Sequence, residues 1–138
     1  MSDKRFETLT RFECLELLRL NHLGRLAFLE RVGVVPLITP VNYVLDQDTV
    51  VFRTDPGSKL LAAIRGAPVA FEVDGVEEGD GTGWSVIVRG HAVEVTDAPE
   101  LERLSQGPLE SWAPGPKSHY VRVLPGPITG RRISVQGR

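Results

Sequence analysis

The sequence predicts a mainly β, α+β fold, a small antiparallel barrel of about six to seven strands with short helices at its ends. Three observations lead there. Extended runs of alternating or doubly apolar residues recur along the whole chain. Most neighbouring runs are joined by turn-type segments, which favours antiparallel pairing. Only three short helical patterns interrupt them. Three helices are too few to cover an open sheet, so the strands close most economically on themselves.

The elements follow in order. Thr10 and Glu13 have capping-box spacing, and Phe12, Cys14, Leu15, Leu17 and Leu18 give an apolar face, so 11–20 reads as a helix. Asn21-His22-Leu23-Gly24 ends it. Residues 25–31 are apolar on both faces and suit a buried strand. Val32-Gly33 is a turn. Residues 34–45 form a long extended run, with Pro36 and Pro40 expected to interrupt its hydrogen-bond ladder. Asp46-Gln47-Asp48 turns the chain into a strand over 49–54. A short helix over 60–65 stops at Gly66-Ala67-Pro68. A strand over 69–73 leads to a glycine-rich, acidic stretch, 74–83, expected to be a mobile loop. Its Gly-Asp-Gly-Thr-Gly precedes a strand and lacks the spacing of a dinucleotide fingerprint. Residues 84–96 form a long strand with a bulge or bend at Gly90. Asp97, Pro99 and Glu100 open a third helix, 98–106. Residues 107–117 form a loop, and two strands, 118–124 and 128–135, flank Pro125-Gly126-Pro127.

A chain of 138 residues with a net charge of −2 and 41% hydrophobic residues fits one soluble domain, 1–138. Basic and acidic residues are mixed, so the footprint of a nucleic-acid binder is missing. No run is apolar enough to span a bilayer, and the N-terminus has no signal-peptide core. Cys14 is alone, so no intrachain disulfide forms. The expected location is the cytoplasm, with no membrane partner.

No side-chain catalytic set stands out. His22, His91 and His119 lack metal-ligand spacing, so no metal is expected. Cys14 lies among leucines as a structural thiol. Ser58 and Ser85 have no nucleophile elbow around them. The acidic residues of 74–80 lack EF-hand order. The stretch that does stand out is Phe52-Arg53-Thr54-Asp55-Pro56-Gly57-Ser58-Lys59-Leu60-Leu61. A strand ends in a tight turn and a helix begins. Arg53, Ser58, Lys59 and the first helical N–H groups would converge on a space suited to a phosphate monoester. The competing reading is an ordinary capped turn with two solvated cations. If the phosphate belongs to a redox cofactor, the ring performs the chemistry and the protein supplies position, which accounts for the missing catalytic set. Trp84 then serves as an aromatic wall or as a strand-end core residue.

The order and spacing of several stretches resemble the pyridoxamine 5′-phosphate oxidase-like family with the FMN-binding split-barrel fold. They are His22-Leu23-Gly24-Arg25-Leu26-Ala27-Phe28, Thr39-Pro40-Val41-Asn42-Tyr43-Val44, the 51–60 stretch, Val69 to Asp74, and Trp84 to Ala92. The likeness is greatest to the nitroimidazole-resistance-type branch. It implies a split antiparallel barrel and FMN as cofactor, with deazaflavin F420 as the alternative. It implies that Arg53, Thr54, Ser58 and Lys59 hold the phosphate. Thr39, Pro40, Val41, Asn42 and Tyr43 would line the ring, largely through main-chain groups. Trp84 and Ser85 would reach a flavin edge, often that of the other subunit of a homodimer. The run from Gly130 to Arg138 lacks the Arg–x–His substrate motif of the vitamin B6 enzyme, so B6 oxidation is not expected. The implied activity is flavin reductase or nitroreductase-like reduction of a small molecule. F420-dependent reduction and a non-catalytic flavin-binding or sensing module are the rivals.

Overall fold

The computed structural model describes residues 3–29, 35–55, 59–77, 79, 81–109 and 119–136. In chain order these form β1 (Asp3–Thr8), α1 (Arg11–Leu20), β2 (Leu23–Leu29), β3 (Pro36–Asp46) and β4 (Thr49–Thr54). Then come α2 (Lys59–Ile64), β5 (Pro68–Glu77), β6 (Thr82–Glu94), α3 (Ala98–Ser105) and β7 (His119–Gln136). The strand order is β1-β7-β4-β3-β2-β5-β6, and β6 also pairs with β7. Six strands therefore close into an antiparallel barrel, and β1 is added outside the closure along the far half of β7.

Alternation fills the barrel. Leu26 and Phe28 of β2, Tyr43 of β3, Val50 and Phe52 of β4, Phe71 and Val73 of β5, Val86 and Val88 of β6, and Val121 and Val123 of β7 share one buried cluster. Helix α1 covers it with Cys14 and Leu18, and α2 with Leu61 and Ile64. Gly24 is obligatory in this packing, because a Cβ there would stand 2.2 Å from the Phe71 ring. A second cluster forms outside the barrel, where Val51 and Tyr120 meet Leu104 and Leu109 at α3. Both expected N-caps are present. Thr10 and Glu13 exchange hydrogen bonds at α1, and Asp97 accepts from the Glu100 N–H at 3.2 Å at α3. Phe12 does not join the buried face of α1 and is 71% exposed.

Four expectations need correction. β5 runs on through Glu77 and pairs with Thr82–Ser85, so much of the 74–83 stretch is a hairpin rather than a loop. The two last strands are one, β7, which passes unbroken through Pro125-Gly126-Pro127. It tolerates the prolines because β4 pairs only with 119–123, β1 only with 131–136, and the Leu9 N–H with the Gly130 carbonyl, leaving one edge of 124–129 without a strand partner among the described residues. The third correction is β1, whose charged sequence gave no strand signal. The fourth concerns Pro36 and Pro40, which do not interrupt the β2–β3 ladder. The Tyr43 N–H donates to the His22 carbonyl at 3.0 Å. Peptide groups alternate sides along a strand, so Val41, Thr39 and Leu37 also face β2. Pro40, Ile38 and Pro36 face away from it, and their missing or free N–H groups lie on the other edge. The bulge at Gly90 is present as expected, as a register shift between Val88 and Gly90.

Candidate functional site

The barrel is split between β3 and β4. Their ladder starts at the Asp46↔Thr49 end, where Gln47 and Asp48 turn the chain with φ of 52° and 60°. It runs to Tyr43↔Phe52 and stops. β3 continues beyond that point on β2, and β4 continues on β7 through Arg53↔Tyr120 and Thr54↔His119. The two strands diverge there, so the 36–41 half of β3 has one edge with no strand partner among the described residues. The main-chain groups of Ile38 and Pro40 face this open edge, those of Thr39 and Val41 turn toward β2, and Asn42 stands at the fork opposite Arg53. A flat ring laid along it would meet main-chain groups, and Pro40 presents none of the N–H that would otherwise compete. Tyr43 offers the edge neither its side chain nor its N–H, which donates to the His22 carbonyl. Its ring is fully buried against Phe71, its hydroxyl donates to the Leu18 carbonyl at 2.7 Å, and burial drives its phenol far above the ordinary range.

The cationic side of the fork is built from β4 and α2. Thr54 faces the interior with Val50 and Phe52, is 5% exposed, and its Oγ1 has no hydrogen-bond partner. A buried hydroxyl without a partner carries an unfavourable energy. Arg53 points to the opposite side and donates from Nη1 to the Leu109 carbonyl at 2.9 Å. Lys59 opens α2, is exposed, and makes no ion pair or side-chain hydrogen bond among the described residues. Ser58 lies outside the described residues. Helix α2 has six residues, so its macrodipole is weak and the side chains must carry most of any attraction for an anion. The ammonium of Lys59 and the guanidinium of Arg53, beside an open strand edge, suit the phosphate tail of a flavin; the Thr54 hydroxyl, on the other face of β4, does not meet the same phosphate.

Trp84 and Ser85 stand elsewhere. They pair with Gly75 and Asp74 of β5 and with Arg132 and Arg131 at the far end of β7, whereas Arg53 pairs with Tyr120 near its start. One chain does not bring them to the fork. The Trp84 ring is locked over Gly75, where an added Cβ would approach it to 2.7 Å. Ser85 lines a shallow cleft with Phe6, Thr8, Ile87 and Arg131.

Sequence reasoning missed a feature next to the fork. A cleft of about 520 Å³ opens between the end of α1, the outer face of β3 and the end of α3. Leu20, His22, Val44, Arg103, Leu104 and Pro108 are among its walls, and so is Leu109, whose carbonyl holds Arg53. Its lower rim is fixed by ion pairs. Arg122, 8% exposed, donates to the Asp46 carboxylate at 2.9 Å, and Arg103 pairs with the same carboxylate. Burial alone would raise the Asp46 carboxyl, but these two guanidiniums outweigh it and hold it below the usual range. No local pattern announces the cleft, because its walls come from segments separated by more than eighty residues. On the outer face of β2 and β5, Arg25 bridges Glu72 at 3.2 Å and Asp74 at 3.0 Å. Burial and the neighbouring Asp74 raise the Glu72 carboxyl. No described helix is long and apolar enough to cross a membrane.

Comparison with known proteins agrees with this fold. The structure of the FAD binding protein from Mycobacterium smegmatis superposes with a TM-score of 0.78 at 41% identity, covering 92% of this chain and 97% of that one. A FAD-binding protein from Mesorhizobium loti gives 0.71 at 26% identity over 92% and 97%. A candidate 5-nitroimidazole antibiotic resistance protein from Bacteroides thetaiotaomicron shares the fold, with a TM-score of 0.76 at 12% identity over 96% and 90%. The sequence pattern of the family described as pyridoxamine 5′-phosphate oxidase matches residues 10–132. The chain thus belongs to the pyridoxamine 5′-phosphate oxidase family, among its flavin-binding split-barrel proteins.

Proposed function

We propose that this protein is a flavin-dependent oxidoreductase that reduces a small molecule, of the flavin reductase or nitroreductase type. The observation that carries the reading is the fork between β3 and β4, where an open strand edge lies beside Arg53, Thr54 and Lys59. Arg53 and Lys59 hold the tail phosphate, with Ser58 as a further donor, while the Thr54 hydroxyl on the interior face of β4 makes no contact with it. Charge-assisted contacts of this kind are the strong ones. The open edge orients the ring through the main-chain groups of Pro40 and Asn42. A bound flavin supplies hydride transfer at its ring. The tail phosphate is common to FMN and FAD, and the Mycobacterium smegmatis relative, 41% identical, is a FAD binding protein.

The protein works as a homodimer in this reading. Trp84 and Ser85 of one chain lie far from its own fork, so a second copy brings the partner's Trp84 and the partner's Ser85 to the ring. The substrate stacks on the remaining ring face at that interface. Exposed apolar residues such as Leu29, Val35 and Ile38 suit burial by a second copy. The expected compartment is the cytoplasm.

Purified protein tests this directly. The expected result is a flavin absorbance spectrum, as isolated or after adding FMN or FAD, together with oxidation of reduced nicotinamide in the presence of a nitroaromatic or quinone. Binding without turnover with any acceptor would make the protein a flavin-binding module. Quenching of F420 fluorescence with no flavin binding would transfer the fork to the deazaflavin. Failure to bind any of the three overturns the reading.

A further inference from the structure

We propose that a groove on the outer face of β2, β5 and β6, walled by the middle of β7, binds a monocarboxylate with an apolar body, and that Arg89 is its anchor. The groove lies apart from the fork, so the proposal does not depend on the flavin reading.

The groove follows from where small and large side chains fall on the sheet. Ala27, Ala70 and Arg89 are register partners across β2, β5 and β6, so they share one face. It is the outer face, because their neighbours Phe28, Val69 and Val88 are buried in the barrel core. Two alanines leave a trough that longer side chains would fill. Leu29 stands on one side of it and Leu124, Pro125 and Pro127 on the other, around a space of about 700 Å³. That is within the range of small-molecule sites. Leu29 and Leu124 are 55% and 46% exposed, so a ligand's apolar body gains by covering them.

The wall on β7 is built from two irregular features. β6 bulges between Val88 and Gly90, and Pro125 of β7 stands opposite Gly90. The strands approach so closely that a Cβ on Gly90 would stand 2.0 Å from the Leu124 carbonyl oxygen. One on Gly126 would stand 2.9 Å from the Arg89 carbonyl oxygen. Two stiff prolines are thus held beside Arg89 as a fixed apolar bank. Bulges often re-aim a side chain next to a binding site.

Charge selects the ligand. Arg89 lines the groove, is exposed, and makes no ion pair or side-chain hydrogen bond among the described residues. The acids on the same face of β5, Glu72 and Asp74, are both engaged by Arg25. His91 follows Arg89 on this face of β6 and adds a ring N–H donor. A guanidinium holds a planar carboxylate through two parallel hydrogen bonds. One cation in an otherwise apolar groove matches one carboxylate with an apolar tail. A second copy of the chain is the rival occupant, since Leu29 also belongs to the face offered to one above. It would have to bury Arg89 without an anion or release Glu72 or Asp74 from Arg25, whereas a carboxylate ligand satisfies Arg89 directly.

The test titrates octanoate and 1-octanol into the full-length protein by calorimetry, with sedimentation velocity on the same samples. Wild type is expected to bind octanoate roughly tenfold or more tighter than 1-octanol. Arg89→Gln should lower octanoate affinity by about tenfold and leave 1-octanol within about twofold, and Arg89→Lys should retain more octanoate affinity than Arg89→Gln. Ala70→Leu fills the trough and should weaken both ligands, with thermal melting to confirm that each variant is folded. Flavin binding should be the same in Arg89→Gln as in wild type. No octanoate binding, equal affinity for octanoate and 1-octanol, or unchanged octanoate affinity in Arg89→Gln would overturn the site. A dimer that excludes octanoate would overturn it too and give the face to a second copy.

Discussion

The Thr54 hydroxyl gives the sharpest stability–binding contrast. It is buried at the end of β4, with no hydrogen-bond partner, beside the place assigned to the phosphate. An unsatisfied buried polar group costs roughly 1–3 kcal/mol, so removing the hydroxyl without changing shape should stabilise the flavin-free protein. Thr54→Val does this and adds a β-branched residue suited to a strand. A gain of about 1 kcal/mol raises the melting temperature of a domain of this size by roughly 3–5 °C. The same substitution leaves the phosphate contacts of Arg53 and Lys59 in place and should change the flavin Kd by less than about twofold. Thr54→Ser is the control, keeping the unsatisfied hydroxyl while losing a methyl group, and should bring no gain in stability. The assays are calorimetric melting of flavin-free protein and fluorescence titration with FMN. A Thr54→Val protein that melts lower than wild type, or loses flavin affinity about tenfold, would refute the reasoning.

Other substitutions test other joints. Lys59→Ala should weaken flavin retention by roughly 1.5–3 kcal/mol with little change in the melting temperature of the flavin-free form, read by equilibrium dialysis. Gly24→Ala places a methyl group against the Phe71 ring and should cost about 1–3 kcal/mol or prevent folding, measured by urea denaturation. Asp46→Asn leaves the buried Arg122 guanidinium short of its main anion and should cost roughly 1.5–3 kcal/mol at neutral pH. The folded Asp46 carboxyl titrates below its unfolded value of about 3.9, so its stabilisation is complete above about pH 4 and disappears as pH falls through the folded value. The wild-type and Asp46→Asn stability curves should therefore converge in acid, and parallel curves down to pH 2 would exclude this role.

The barrel was legible because its interior strands alternate strongly and its two capped helices carry their signals locally, Thr10 with Glu13 and Asp97 with Glu100. The failures have specific physical causes. β1 is a charged strand that gains its order from one long-range partner, the tail of β7. Pro125 and Pro127 normally break a strand, and only the tertiary fact of an open edge permits them. Pro40 looked like a defect in a ladder, whereas the side on which its missing N–H falls follows from the Tyr43–His22 bond. Glycines and acids made 74–77 look like a loop, although the strand continues through Glu77. The cationic end of the fork could be read from Arg53, Ser58 and Lys59 in sequence. The split itself could not, nor could the unpartnered state of Thr54, the tie from Arg53 to Leu109 across 56 residues, or the cleft beyond it. These depend on where strands diverge, which no local pattern encodes.

The most direct measurement compares riboflavin with FMN on the wild-type protein. The two ligands share the ring and ribityl chain and differ only in the phosphate. If Arg53 and Lys59 grip that phosphate, two charge-assisted contacts of about 1.5 kcal/mol each should make FMN bind roughly a hundredfold more tightly. Equal dissociation constants for the two would contradict the assignment of an anion to the fork.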